Sequence, residues 1–517
     1  MDNSVLEIIA YGAWNGGAIV DNSIYEKKGL SFKGGVPVNN KTIEKRMGVR
    51  TRRAAGADER IGVTALQDLL DTSNIDPSQV KLVIGATNVG DDKYDHGPLI
   101  RFPYQLLHKH CPNAQVMDLY AGCPGFNVAI ELCFMLSLTG KLKAGDLSII
   151  VGAENVHRAK AFKPHDTSNI IFGDDALATA LETRISATPV GHYIKNHTAG
   201  FTAGSDHVAA IAEAIYDLNG DEKFDGLIID NQLGELIWRV PATAARVQHA
   251  LVQLMYADQT ARGAFNRFKD ALEFYDQKVR AFAFDIMTLD PKPERVAAIA
   301  KAYVQSGKYN NIISVFLAPD SSGTVTLHQG SNFTFERPST GIIDTLSRTH
   351  GCFAQYIQAV PVDNDIFGDM DGKGVFLYAT RGAKAHIDEL FSTGGISLDQ
   401  IDLLIEHQAN FAMIPLTLAQ VLELPKDEIK PAVADLVANK LIINVHTRGN
   451  CSVVCMQRLP YDLKRGALQE DTLQGFRINA NLDQLKKARL ILNDSVGAGM
   501  TRSSFLQIWD KSIFATT

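Results

Sequence analysis

Cysteine is scarce in this chain: six residues in 517, none of them in a CxxC pair. That scarcity excludes a disulfide framework and a zinc site of paired thiols, and leaves reduced thiols of which one can be reactive. Long apolar runs are missing too, and without about 18 uninterrupted apolar residues no transmembrane helix is expected. The opening residues, Met1 to Glu7, lack a basic segment followed by an apolar one. No signal peptide is expected, so the default compartment is the cytoplasm. Positive charge is not in excess: a net charge of −7 excludes a globally basic nucleic-acid binder. At 45% hydrophobic and 21% charged residues the chain is not disordered.

The length exceeds one ordinary core and suggests roughly two to four units at about 100–200 residues each. The chain also repeats itself. Ile75, Gln79, Leu82 and Ile84 recur in order as Ile396, Gln400, Leu403 and Ile405. Each segment is a polar turn running into an apolar strand. Asp118 to Cys123, with Gly122-Cys123, is echoed by Asn444 to Asn450, with Gly449-Asn450. Leu147–Gly152 is echoed more weakly by Leu490–Gly497. Strands alternating with helical segments in both copies indicate an α/β fold. Between the copies the texture changes. Residues 242–288 are nearly continuous helix formers, with Val247, Leu251, Leu254 and Met255 on one face. A further helix is expected at 292–306, opened by Pro293. Three segments follow: 1–199, a mostly helical insertion over 200–335 acting as cap or interface, and 336–517.

Cys123 follows an apolar strand and precedes Pro124-Gly125-Phe126 and a helix-like run. A thiol at a helix N-terminus meets free N–H groups and the positive end of the dipole, which favour the nucleophilic thiolate. Its bland alternative is a buried structural cysteine, the reading kept for the other five. His407 ends a strand in Glu406-His-Gln-Ala-Asn410, and Asn450 lies in a turn before Cys451-Ser452. Each alone reads as structural, but the repeat places them on elements equivalent to those carrying Ala86 and Cys123. In a duplicated fold such loops converge on one pseudo-twofold centre.

At these residues the chain resembles the thiolase superfamily, most closely its β-ketoacyl synthase III branch. The motifs run in order: Ile43 to Arg50 with Arg52-Arg53, Asp118 to Phe126, Phe172-Gly-Asp174, Met370 to Phe376, His407 to Asn410, Gly449-Asn450-x-Ser452, and Gly497 to Thr501. The resemblance implies a thiolase-like duplicated αβαβα five-layer fold, here with the helical insertion between the halves. It implies an acyltransferase of the condensing type with Cys123, His407 and Asn450 as catalytic residues. Backbone N–H groups of Cys123, Ala498 and Gly499 would form the oxyanion hole. Phe126 and Val496 would line the acyl pocket. Arg46, Arg50, Arg52 and Arg53, within six cations over residues 41–53, would hold a phosphate of the substrate or carrier. No cofactor is expected to be bound. The substrates would be thioesters of coenzyme A or of acyl carrier protein, and the chain would form a homodimer, with no nucleic acid and no membrane insertion.

The chain departs from the family pattern in places. Thr42 and Thr167 stand where coenzyme A-binding residues are usual, Ala412 where an arginine is usual, and Val496 where a phenylalanine is usual. Asp175-Ala-Leu177 replaces glycines. These departures point to specialised lipid or polyketide-type biosynthesis. Asp217 to Asp225 spaces oxygen ligands like the start of a calcium loop, but Glu222 and Ile228 break the pattern, so no metal is expected. Two other readings stay open: transfer of the acyl group to an alcohol or amine without condensation, and a non-catalytic subunit of a condensing heterodimer.

Overall fold

The computed structural model describes residues 4–90, 97–185, 189–234, 236–260 and 267–509. The first unit is built on five strands, β1 (Leu6–Ala13), β2 (Val80–Ala86), β3 (Gln115–Tyr120), β4 (Leu147–Glu154) and β5 (Asp175–Thr183). The middle of the chain adds β6 (His192–Thr202), β7 (Gly226–Asn231), β8 (Phe282–Thr288), β9 (Asn311–Leu317) and β10 (Ser322–Ser331). All ten lie in one sheet, in the order β1-β5-β4-β2-β3-β8-β7-β9-β10-β6. A second sheet, β11 (Gly341–Thr349), β12 (Leu403–Glu406), β13 (Leu490–Gly497) and β14 (Thr501–Ile508), has the order β11-β14-β13-β12.

The helices complete five layers. Outside the large sheet lie α1 (Ile61–Thr72), α3 (His207–Asn219) and α4 (Thr243–Met255). Between the sheets lie α2 (Gly125–Leu138), α5 (Pro293–Gln305) and α8 (Cys455–Lys464). Outside the second sheet lie α6 (Ala383–Ser392) and α7 (Met413–Leu422). Every residue of α2 except Leu138 is buried, as expected for a helix apolar on all sides. Its one carboxylate, Glu131, is satisfied from both remaining parts of the chain, by Tyr309 Oη (2.6 Å) and by Ser347 Oγ.

The three echoes in the sequence fall on equivalent elements. Residues 75–84 and 396–405 each make one 3-10 turn, Pro77–Gln79 and Leu398–Gln400, that enters β2 and β12. The weaker echo is β4 against β13. The middle echo is β3 against residues near Leu441, which keep a single parallel bridge to Leu404 in place of a full strand.

The middle segment corrects the expectation of a mostly helical insertion. Helices do form at 243–255 and 293–305, but five strands accompany them and extend the first sheet. The boundaries move as well: β6 spans residues 192–202, across the expected break at 199/200. Residues 282–288, expected within a helical stretch, are the strand β8, while 261–266 lie outside the described residues. Phe282-Ala-Phe and Leu227-Ile-Ile are short, wholly buried apolar runs, which periodicity cannot tell from a buried helix. The calcium-like stretch begins inside α3, where Asp217 and Asn219 are helical. No described helix is long and apolar enough to cross a membrane.

Candidate active site

Cys123 lies in the turn between β3 and α2. Gly122 makes that turn with φ +69°, and a Cβ added to it would come within 2.4 Å of the Ala498 nitrogen. A Cβ on Gly497 would likewise stand 2.4 Å from the Cys123 nitrogen. The nucleophile turn and the turn between β13 and β14 therefore touch through glycine alone. Gly122→Ala is expected to slow acylation of Cys123 on the order of 10²-fold by displacing the thiol, a change that single-turnover kinetics would measure.

His407 follows β12, its backbone N–H bonded to the Asp494 carbonyl (3.0 Å). Neighbouring Gln408 accepts the N–H groups of Asn444 (3.3 Å) and Val445 (3.4 Å), tying the histidine loop to the segment that leads to Asn450. Asn450 is fixed by backbone bonds to Ile171 O (2.7 Å) and from Gly173 N (3.1 Å). Its side-chain Oδ1 accepts from Ser452 N (2.8 Å). With the oxygen so engaged, the amide nitrogen is the group left to donate.

The three residues expected to be catalytic line one cavity of about 540 Å³. Two further polar residues behind Cys123, Asn88 and Glu154, escaped the sequence reading, and Ser452 was named there only as the end of a motif. Ser452 Oγ donates to Cys123 Sγ (3.4 Å), and it is set to do so because it accepts from Asn88 Nδ2 (3.0 Å). Asn88 is in turn held by Glu154 Oε1 (2.9 Å). Ser452 adopts φ +49°, a strained value for a non-glycine residue. Its only sequence signal was its place two residues after Asn450.

Burial works against charge on His407, yet the Cys123 and Cys455 thiols hydrogen-bonded to it push it up to about 10. Cys455, left as structural by the sequence reading, lies deep beside the site, and hydrogen bonds from Cys451 and His407 hold its thiol below the usual range against burial. Acylation or alkylation of Cys123 removes one of the two sulfur partners that raise His407, so burial regains weight and the ring's pKa must fall. Alkylating Cys123 is expected to move the His407 titration well below 10, read by NMR of ring-labelled histidine; an unmoved midpoint would refute this coupling.

The other expected site residues separate. Val496 lines the cavity, but Phe126 does not: it is fully buried and packs on Gly152 in the interior. Ala498 lines the cavity, whereas Gly499 does not, and a Cβ added to it would meet Ala245 at 3.1 Å. Of the four arginines only Arg46 reaches the cavity, stacked over Phe32 at 4.8 Å. Arg50 is neutralised by Glu44 (2.8 Å) and Asp471. Arg52 is buried, bonded to Asn22 Oδ1 (2.7 Å) and set over Tyr25. Arg53 bonds to the Gly17 carbonyl (3.4 Å) and does not line the cavity. Carboxylates hold Arg50, an amide oxygen Arg52 and a carbonyl Arg53, and none of the three lines the cavity. Thr42, where a coenzyme A-binding residue is usual, closes a helix capping box with Asn39 (2.9 Å). The cations the sequence did not single out are Lys33 and Lys373, both exposed at the cavity.

No family model matches the chain. Among curated proteins it is 27% identical over 205 residues to β-ketoacyl-[acyl-carrier-protein] synthase III of Syntrophomonas wolfei, covering 39% of this chain and 48% of that one. The synthase III of Histophilus somni is 29% identical over 179 residues, covering 34% and 52%. The matched part spans about half the length of these relatives. Among solved structures, synthase III of Pseudomonas aeruginosa aligns with a TM-score of 0.53 at 15% identity, covering 98% of this chain and 99% of that one. A variant of OleA from Xanthomonas campestris aligns at 0.51 and 11%, covering 98% and 100%. At these identities the structures speak for the fold alone. By fold the chain is similar to solved synthase III structures, and over 39% of its length its sequence is similar to a curated β-ketoacyl-[acyl-carrier-protein] synthase III.

Proposed function

We propose that the chain is an acyl-transferring condensing enzyme that loads an acyl group on Cys123 and joins it to a malonyl or β-ketoacyl thioester by Claisen condensation. The observation that carries this reading is the meeting of Cys123, His407 and Asn450 in one cavity whose walls are mostly apolar, among them Val89, Val156, Phe162, Ile171 and Val496. Apolar walls suit an acyl chain, and exposed Lys33, Arg46 and Lys373, interspersed with Asp166 and Asp371, suit the phosphate of a coenzyme A or carrier-protein thioester.

The chemistry follows in two steps. The Cys123 thiolate, held by Ser452 and imidazolium His407, attacks the thioester carbonyl. The oxyanion accepts the N–H groups of Cys123 and Ala498. The carbonyl re-forms as the carrier thiolate leaves with the proton from His407. His407 is now neutral, as its burial favours. A malonyl thioester then loses CO2, and its enolate oxygen accepts hydrogen bonds from His407 and Asn450 Nδ2. The enolate carbon bonds to the acyl carbonyl, the C–S bond breaks, and the Cys123 thiolate returns while solvent restores the proton on His407.

The test is intact-mass spectrometry after mixing with acyl thioesters of coenzyme A and of acyl carrier protein, followed by CO2 detection on adding the malonyl thioester. An adduct on Cys123 and CO2 release that depends on that adduct support the reading. An adduct transferred to an alcohol or amine without CO2 overturns the condensation step, and no adduct overturns both.

A further inference from the structure

The strand order of the large sheet reads the same from either edge. From β1 inward the neighbours are antiparallel, antiparallel, parallel, parallel, ending on β3; from β6 inward the same sequence ends on β8. The two halves meet where β3 and β8 pair antiparallel. There Tyr120 faces Asp285 and Asp118 faces Met287, symmetrically about the pair Leu119 and Ile286. One side-chain device recurs in both halves. Asp118, fully buried on β3, accepts the consecutive N–H groups of Leu99 (2.5 Å) and Ile100 (2.9 Å). Asp285, fully buried on β8, accepts those of Thr243 (2.7 Å) and Ala244 (2.8 Å). Residues 192–331 are therefore a further copy of the first unit, with β8 in the place of the nucleophile strand.

That copy has no nucleophile. Five residues beyond Asp118 is Cys123; five beyond Asp285 is Asp290, which is exposed and paired with Lys292 (3.0 Å) and Arg295 (2.7 Å). The glycine turn is gone, replaced by Pro291-Lys-Pro293. Yet the copy reaches the working site. The loop after β2 brings Asn88 and Val89 to the cavity, and the equivalent loop after β7 brings Leu236 and Val240 to it. Both are almost fully buried in the apolar cluster with Val89, Phe162 and Ala498. The Val240 carbonyl accepts the Ala359 N–H (2.6 Å), which anchors this wall to the last part of the chain.

We propose that residues 192–331 are a catalytically empty partner unit carried within the same chain, closing the edge of the nucleophile strand and setting acyl-chain length through Leu236 and Val240. One chain then holds one complete site, and no second copy is needed to cover β3, since β8 already pairs with it. The chain-length part rests on the acyl-Cys123 reading above.

The full-length chain and its Leu236→Phe, Val240→Phe and Leu236→Ala/Val240→Ala variants are compared with saturated acyl-coenzyme A thioesters of graded length, read by intact mass. The phenylalanine variants are expected to lower the ratio of long-chain to short-chain acylation by about 10-fold or more, and the alanine pair to raise it. The alanine pair keeps the test open if a bulkier side chain unfolds the loop. An unchanged ratio in all variants overturns the proposal. Acylation rate per chain is expected to stay constant on dilution; a rate that falls as a dimer dissociates overturns it too. Binding of a fluorescent long-chain fatty acid separates this proposal from the reading it rests on. Weaker binding in the phenylalanine variants, with no thioester acylating the wild type, upholds the wall and removes the enzyme reading. Equal binding in all of them removes the wall.

Discussion

Cys123→Ala leaves no acyl adduct in an intact-mass spectrum, while His407→Ala and Asn450→Ala still acylate and lose condensation by about 10²–10³-fold each. The split follows from what each residue touches. Under the proposed function Cys123 alone supplies the sulfur that carries the acyl group. The alanine variant also settles whether a signal comes from Cys455, which sits beside His407 but outside the residues lining the cavity. His407 and Asn450 carry the donors that an enolate oxygen requires, and loss of one such donor typically has this magnitude. His407→Ala should in addition slow acylation modestly, because imidazolium supports the thiolate. The two effects separate in single-turnover acylation against steady-state CO2 release. Equal loss of both steps in Asn450→Ala would overturn the enolate role.

The second large effect is on stability. Arg458, 1% exposed, is held by Asp462 (2.9 Å), Asp175 (3.2 Å), the Trp14 carbonyl (3.0 Å) and Asn15 Oδ1 (2.6 Å). Arg448 bridges the same two carboxylates, Asp462 at 3.0 Å and Asp175 at 3.3 Å. The network joins β5 of the first unit to α8 of the last. Arg458→Ala strands two buried carboxylates on one remaining arginine, and removing a partner from such a buried set costs roughly 3–5 kcal/mol. Urea denaturation should show a lowered midpoint with an unchanged slope. Arg458→Ala/Asp175→Ala should recover part of the loss, because the second change removes the unpaired charge. The network also gives Asp175 a role where the thiolase pattern prefers glycine: its carboxylate is one of the two that both arginines share.

The duplicated frame and the three central residues were legible because each repeat carries a turn signal beside an apolar strand. Ile75-Asp-Pro and Ile396-Ser-Leu announce the same 3-10 turn, and Gly122 and Gly449 mark the positive φ that each loop needs. The middle copy was not legible because its central strands, β7 and β8, are short buried runs and the turn after β8 has lost its glycine, so that hydrogen-bond register reveals it. Spacing also misled at Arg50, Arg52 and Arg53. Sequence shows a cluster of cations but not that carboxylates, amides and carbonyls already hold them. Leu236 and Val240 gave no sign at all, since apolar residues in a loop look alike whether they face a core or a substrate. Phe126 failed for a related reason: a helix buried on every side has no single face that points to the pocket.

The palindromic sheet has a further consequence. In an isologous pair of identical subunits every substitution is made twice, so neither side of the contact can drift alone. Here the two sides are encoded separately, and the match between β3 and β8 can change one residue at a time. Asp290 shows how far that freedom has gone: one side of the sheet keeps a thiol for chemistry, and the other has exchanged it for a surface ion pair.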